Sequence, residues 1–209
     1  MEQNYEKLRE NMVAEQLIGR DITDQRVIEA FLKVPREEFV REQDKRWAYD
    51  DYPLPIGYGA TISQPYTAAV MSQILKLDKD STVLDIGTGS GYSAAILSQI
   101  SSKVITVERI CELAHKARER LERLGYPNIE VIYEDGFKGY EREAPYDGIM
   151  VSAATEEIAD AWLEQPKVGG RIVYPKYNGI EQILVEGIKT KSGIKEVYHG
   201  GVKFVPLIK

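Results

Sequence analysis

Beyond residue 80 the chain alternates short apolar runs with longer stretches of helical periodicity. Val83, Leu84 and Ile86 form the first run, and a helix-like stretch follows at 93–100. A second run at 104–107 ends in Glu108; Leu113, Ala117, Leu121 and Leu124 then recur at helical spacing, closed by Gly125 and Pro127. Apolar runs at 129–133 and 146–152, a short helix at 158–163, a Gly169-Gly170 turn and a run at 171–174 continue the alternation. The tail, at 182–188 and 197–205, reads as strands with no helix between them. Short apolar runs bounded by turn residues are buried strands. The pattern therefore predicts an α/β fold: a doubly wound parallel sheet with antiparallel C-terminal edge strands.

The first sixty residues follow another rhythm and predict an N-terminal helical extension. Tyr5, Leu8, Met12, Val13 and Leu17 share one helical face. Thr23 is placed to cap a second helix carrying Val27, Ile28, Phe31 and Leu32, which Pro35 stops. Both stripes read first as surfaces that pack on the core. The stretch 47–61, with Pro53, Pro55, Gly57 and Gly59 among Trp47, Tyr52 and Tyr58, cannot be a regular helix and reads as a long loop. Long loops in compact domains are often functional. A helix opens after it, with Pro65 in the first turn and Ser63 as a candidate cap. The whole reads as one domain, 1–209: helices and cleft loop at 1–60, core at 61–175, antiparallel strands at 176–209.

Composition narrows the class. The 209 residues are 43% hydrophobic and 29% charged, as in a soluble globular protein. No apolar run reaches the length of a membrane span, and the first residues lack a signal-peptide core, so no membrane partner is expected. One cysteine, Cys111, allows no internal disulfide and fits a reducing cytoplasm. A net charge of −6 argues against a general nucleic-acid binder. An oligomer stays open.

Candidate chemistry centres on the turn after the first core strand. Asp85 precedes Gly87, Gly89 and Gly91, with Thr88 and Ser90 between them. Glycines at a strand-to-helix turn let a ligand approach the backbone. A dinucleotide fingerprint would need glycine at position 92, where Tyr92 stands. Two further acids, Glu108 and Asp135, sit at or near the ends of the next two strands. Glu108 is placed to accept from both hydroxyls of a ribose. Asp135 with Gly136 suits an adenine amine, the glycine leaving room for the ring. Asp85 either shapes the glycine loop or meets an ammonium group. Three acids around one crevice suit a ligand with cationic groups and no phosphates. His115 and His199 have neither zinc spacing nor a serine-triad setting. Two other classes remain open: a NAD-dependent oxidoreductase, disfavoured by Tyr92, and a non-catalytic binding module.

The D-x-G-x-G-x-G run at 85–91 resembles motif I of the class I S-adenosylmethionine methyltransferases, a Rossmann-like family. The wider match is with the protein-L-isoaspartate (D-aspartate) O-methyltransferases. Pro53 to Gly59, leading into Thr61-Ile62-Ser63-Gln64-Pro65, looks like that family's signature ahead of motif I. Val104 to Glu108, Glu134-Asp135-Gly136, Asp147 to Ala154 and Val168 to Arg171 resemble its later motifs, and Phe204-Val205-Pro206-Leu207 its C-terminal signature. Tyr66 departs from it, standing where many members have histidine. The resemblance implies methyl transfer from S-adenosylmethionine to the free α-carboxylate of L-isoaspartyl residues, and possibly D-aspartyl ones, in damaged proteins. Repair then proceeds through a methyl ester and a succinimide. Ser63 matches the family's active-site serine. Asp85, Gly87, Thr88, Gly89, Ser90, Gly91, Glu108, Arg109, Asp135 and Gly136 are the implied cofactor residues. Tyr58, Ile62, Ser63, Phe204 and Val205 are the implied peptide residues. An already ionised carboxylate needs no general base.

Overall fold

The computed structural model describes residues 3–208. A seven-stranded sheet forms its centre, in the order β5-β4-β3-β6-β7-β8-β9. The strands are β3 (Thr82–Ile86), β4 (Lys103–Glu108), β5 (Ile129–Tyr133), β6 (Tyr146–Val151), β7 (Pro166–Tyr177), β8 (Gln182–Thr190) and β9 (Gly193–Val202). Strands β3 to β7 pair in parallel, and β8 and β9 add antiparallel. The expected doubly wound α/β sheet with an antiparallel edge is therefore present. Central strands must be apolar on both faces, and Val83, Leu84, Asp85 and Ile86 are all buried.

Alternation along the strands separates two cores. Val83, Val104, Met150 and Val173 face one side, where they meet α1 (Tyr5–Met12), α2 (Gln25–Lys33), α3 (Pro65–Leu75) and α4 (Tyr92–Ser98). Ala114 and Leu121 of α5 (Cys111–Arg123) join that cluster. Leu84, Ile105, Ile149 and Ile172 face the other side, against Trp162 of α6 (Asp160–Glu164), Tyr140 and Tyr146.

Several local expectations change. The α2 cap is Asp24, whose carboxylate accepts from the Arg26 amide, rather than Thr23. Leu32 lies 40% exposed on the outer side of α2, while Val27, Ile28 and Phe31 are buried. The α1 stripe continues through a π-helical turn, Val13–Leu17, which still buries Val13 and Leu17. Residues 54–62 are not a loop: β1 (Leu54–Gly57) and β2 (Ala60–Ile62) pair antiparallel as a hairpin. Prolines on a short, two-stranded ribbon cost few ladder bonds, which is why this composition tolerates strands. Ser63 does not cap α3: the N-cap residue is Gln64, and no side chain caps the first amides of the helix. The final strand ends at Val202, so Phe204 and Val205 lie beyond it.

Candidate active site

Chain connections leave β3 and β6 in opposite directions, since β4 lies on one side of the pair and β7 on the other. Such a reversal opens a crevice at the carboxyl ends of the strands. A cavity of about 330 Å³ lies there. Its floor is the glycine loop after β3, the end of β4, Gly136 after β5, and Ser152 and Ala153 after β6. The hairpin residues Tyr58 to Ser63 and the tail residues Val205 to Ile208 complete the wall.

The glycine loop is held from behind. Gly87, Gly89 and Gly91 all have positive φ, which a side chain would strain. The Gly87 amide donates to the Val107 carbonyl at 2.9 Å. Asp85 is fully buried and does not line the cavity. One of its carboxylate oxygens accepts from the Thr106 hydroxyl at 2.7 Å, and the Thr106 and Thr88 hydroxyls share a hydrogen bond of 2.7 Å. Of the two roles open to Asp85, loop shaping matches this geometry. Burial pushes its carboxyl up to about 7; the Thr106 hydrogen bond opposes the shift and the Glu108 charge adds to it.

Glu108 does reach the cavity wall while 7% exposed. Its carboxylate accepts from the Gly89 amide at 2.8 Å and the Ile110 amide at 2.9 Å. It thus sets the tip of the loop against the start of α5. Arg109 beside it is exposed at the rim. Gly136 is a close-approach glycine, because a Cβ there would stand 2.5 Å from Ile86 Cγ2. Asp135 stays outside the wall, its side chain accepting from the Phe137 amide at 3.0 Å.

On the opposite wall stand Ile62, buried, and Ser63, half-buried. Tyr58 sits at the hairpin tip with φ +54°, its ring 5.3 Å from the Lys116 ammonium on α5. Val205 lines the cavity, anchored where its carbonyl accepts from the Ala154 amide at 2.8 Å. Phe204 turns away: it packs partly buried against the helical-face core, and its backbone bonds to the Gln182 amide side chain.

Thr88, Ser90, Gly87 and Gly89 also line the cavity, whereas Gly91 begins α4 just outside it. The structure thus brings most of the candidate residues around one space and sets Asp85, Gly91, Asp135 and Phe204 behind or beside it. Sequence reasoning gave no role to Thr106, whose position as the one polar residue of the apolar run 104–107 was a usable signal. It placed Ser152, Ala153 and Leu207 within family-like motifs but named none of them as a site residue. Among the described residues no group of three or more potential metal ligands occurs.

Comparison with known proteins bears on what this site is. Residues 7–209 match the family described as Protein-L-isoaspartate(D-aspartate) O-methyltransferase (PCMT). A Protein-L-isoaspartate O-methyltransferase of Methanoculleus marisnigri is 48% identical over 200 residues, covering 96% of this chain and 91% of the relative. One from Geobacter metallireducens is 48% identical over 207 residues, covering 98% and 95%. Among solved structures, a protein-L-isoaspartate O-methyltransferase superposes with a TM-score of 0.87 at 30% identity, covering 95% of this chain and 65% of that longer one. A Plasmodium falciparum protein of the same description, crystallised with S-adenosyl-L-homocysteine, gives 0.82 at 27% identity and covers 99% of both chains. The chain belongs to the protein-L-isoaspartate(D-aspartate) O-methyltransferase family.

Proposed function

We propose that this protein methylates the free α-carboxylate of L-isoaspartyl residues in damaged proteins, using S-adenosylmethionine, and so begins their repair. The observation that carries the reading is the pairing of two walls across one cavity. Glu108 and the glycine loop stand on the sheet side, Ser63 and Ile62 on the hairpin side.

The residues present fit the cofactor. A Cβ at Gly136 would collide with Ile86 Cγ2, so the cavity floor there is bare backbone that a flat ring can approach. Among the described lining residues the one carboxylate, Glu108, is buried beside the glycine loop, and the one cation, Arg109, is exposed at the rim. Glu108 occupies the Gly89 amide and puts a negative charge where a dinucleotide's pyrophosphate would need free amides, which suits a ligand without phosphates. Glu108 would hold the ribose hydroxyls, Gly136 with Asp135 beside it the adenine, and Gly87 to Gly91 the amino-acid part, with Arg109 at the mouth. When bound, S-adenosylmethionine supplies an electrophilic methyl carbon.

The chain's own residues have the remaining work. A carboxylate nucleophile is ionised near neutral pH, so no residue must remove a proton. The Ser63 hydroxyl donates to one carboxylate oxygen and aims the other along the line of displacement. Tyr58, Ile62 and Val205 present apolar surface to the peptide, with Phe204 bracing the segment that carries Val205. The methyl ester leaves the enzyme and closes to a succinimide, whose hydrolysis returns some normal aspartate. A cytoplasmic setting accords with the single cysteine, Cys111, which is exposed and unpaired. Among the described residues no helix is long and apolar enough to cross a membrane.

The test uses S-adenosylmethionine labelled on its methyl group with two peptides, one containing isoaspartate and one its normal aspartyl twin. Base-labile label in the isoaspartyl peptide alone is the expected result. Label in neither peptide, with cofactor still bound, would overturn the substrate assignment.

A further inference from the structure

Among the described residues Arg36 is the most deeply buried cation, at 0% exposure. It lies on a single turn of 3₁₀ helix, Arg36–Phe39, which Pro35 starts. A buried guanidinium is expensive unless its donors are matched, and carboxylates are the usual match. Here the adjacent carboxylate, Glu37, is turned to the Tyr49 hydroxyl and to Arg9 instead. Two of the three Arg36 nitrogens donate to backbone carbonyls, and Nη1 is buried with no hydrogen-bond partner among the described residues. Its Nε donates to Ala48 O at 2.7 Å, and one terminal nitrogen donates to Ser63 O at 2.7 Å. The guanidinium carbon lies over the ring of Tyr92, 4.8 Å from its centroid.

Those three contacts have a common meaning in the fold. Ala48 is where the chain enters the segment that builds the β1–β2 hairpin, and Ser63 is where it leaves. Tyr92 is the first residue of α4, directly after the last glycine of the loop. One planar group therefore ties the two ends of the 48–63 segment that carries the hairpin, and holds them beside the helix that follows the glycine loop. Lysine could not do this: a single ammonium does not present donors to two carbonyls in a fixed fork. At the far end the hairpin approaches the same loop, since a Cβ on Gly89 would stand 3.2 Å from Ile56 Cδ1.

We propose that Arg36 is a positioning residue for methyl transfer. By clamping both ends of the hairpin segment over Tyr92, it sets the distance between Ser63 and the glycine loop. The inference rests on the Ser63 role given under Proposed function. A misplacement of about 1 Å between aligned groups can cost on the order of a hundredfold in rate. Arg36 touches neither cavity nor reacting atoms, so its loss should appear in turnover and leave cofactor affinity nearly intact.

The experiment is a double-mutant cycle of R36K with S63A, read as kcat, KM for an isoaspartyl peptide and Kd for S-adenosylmethionine. R36Q runs in parallel, in case an unmatched buried ammonium prevents folding. Glutamine is neutral and keeps one nitrogen that can donate. We expect kcat to fall about 10- to 100-fold in R36K or R36Q, with Kd for S-adenosylmethionine within about twofold of the parent. In the S63A background the same Arg36 change should cost less than about twofold more, because residues acting as a unit are not additive. Amide exchange should quicken at 54–62 and stay unchanged in β3 and β4. A plain structural staple would instead lower stability and cofactor affinity together.

Unchanged kcat in both Arg36 variants, with S63A impaired, overturns the positioning role alone. Fully multiplicative losses overturn it too, because Arg36 would then act independently of Ser63. Full turnover by S63A overturns the Ser63 reading and this inference with it.

Discussion

Three side chains divide the work of the site, and each division can be measured. Ser63 caps no helix, so its hydroxyl has no structural duty at α3. Ser63→Ala should therefore leave the melting temperature and the S-adenosylmethionine Kd unchanged while kcat falls at least about tenfold. Steady-state kinetics beside calorimetric titration decide this, and full turnover would remove Ser63 from the mechanism. Glu108→Ala removes the cavity's one carboxylate and frees the Gly89 and Ile110 amides. Charged hydrogen bonds contribute about 1.5–3 kcal/mol, so S-adenosylmethionine binding should weaken roughly 10- to 100-fold. An unaltered Kd would undo the ribose assignment. Asp85 is a pH question. Its carboxyl is raised to about 7 in the folded chain from 3.8. Between those values the folded state binds the extra proton, so stability falls as pH rises and levels off above about 7. Asp85→Asn cannot titrate, so its stability relative to the parent should improve by about 2–3 kcal/mol from about pH 5 to about pH 8. Denaturant melts of both proteins at the two pH values test it; a constant difference would mean that Asp85 is ionised throughout.

At the scale of elements, the departures from local expectation have identifiable causes. Thr23 and Asp24 are both good cap residues, and sequence alone does not choose between them. The structure chooses because the Thr23 and Asp24 amides both donate to the Gln73 side chain on α3, which fixes where α2 begins. Asp24→Ala should cost about 1 kcal/mol of stability and Thr23→Ala markedly less, by thermal melts of the two variants. Residues 54–62 read as loop because prolines and glycines dominate them. They form a ribbon in which Leu54 and Ile62 pair and are both buried, and Arg36 ties the flanking residues Ala48 and Ser63 together. Gly136 marks where β5 hands over to the cavity floor. Gly136→Ala would drive a methyl into Ile86, which is 1% exposed, and should destabilise the protein by about 1–3 kcal/mol while weakening cofactor binding. Normal affinity in that variant would show that Ile86 yields without narrowing the cavity.

At the scale of the molecule, the cavity draws its wall from six places in the chain, so binding should be linked to global folding. S-adenosylmethionine at about a hundred times its Kd should stabilise the protein by about 3 kcal/mol and raise its melting temperature by roughly 5–10 °C. Absence of any shift would remove the cavity as the cofactor site. The sheet itself was legible in advance because strand and helix periodicities are local properties, and a glycine loop between them is local too. The strand-end positions of Glu108 and Asp135 followed from the same periodicity. What each acid faces did not. Asp85 and Glu108 are both strand-end acids in sequence, yet one is sealed behind the loop and the other lines the cavity. The difference is set by Thr106, across the β3–β4 pairing. Arg36 carried no mark at all: its partners Ala48, Ser63 and Tyr92 meet only when the helical extension packs on the sheet. The order of apolar and polar residues by itself determined the elements, their alternation and the chemistry available at the turns. Only tertiary structure decided which of those groups share a cavity, because neighbours across a sheet or under a hairpin are chosen by topology and packing, which no local spacing encodes.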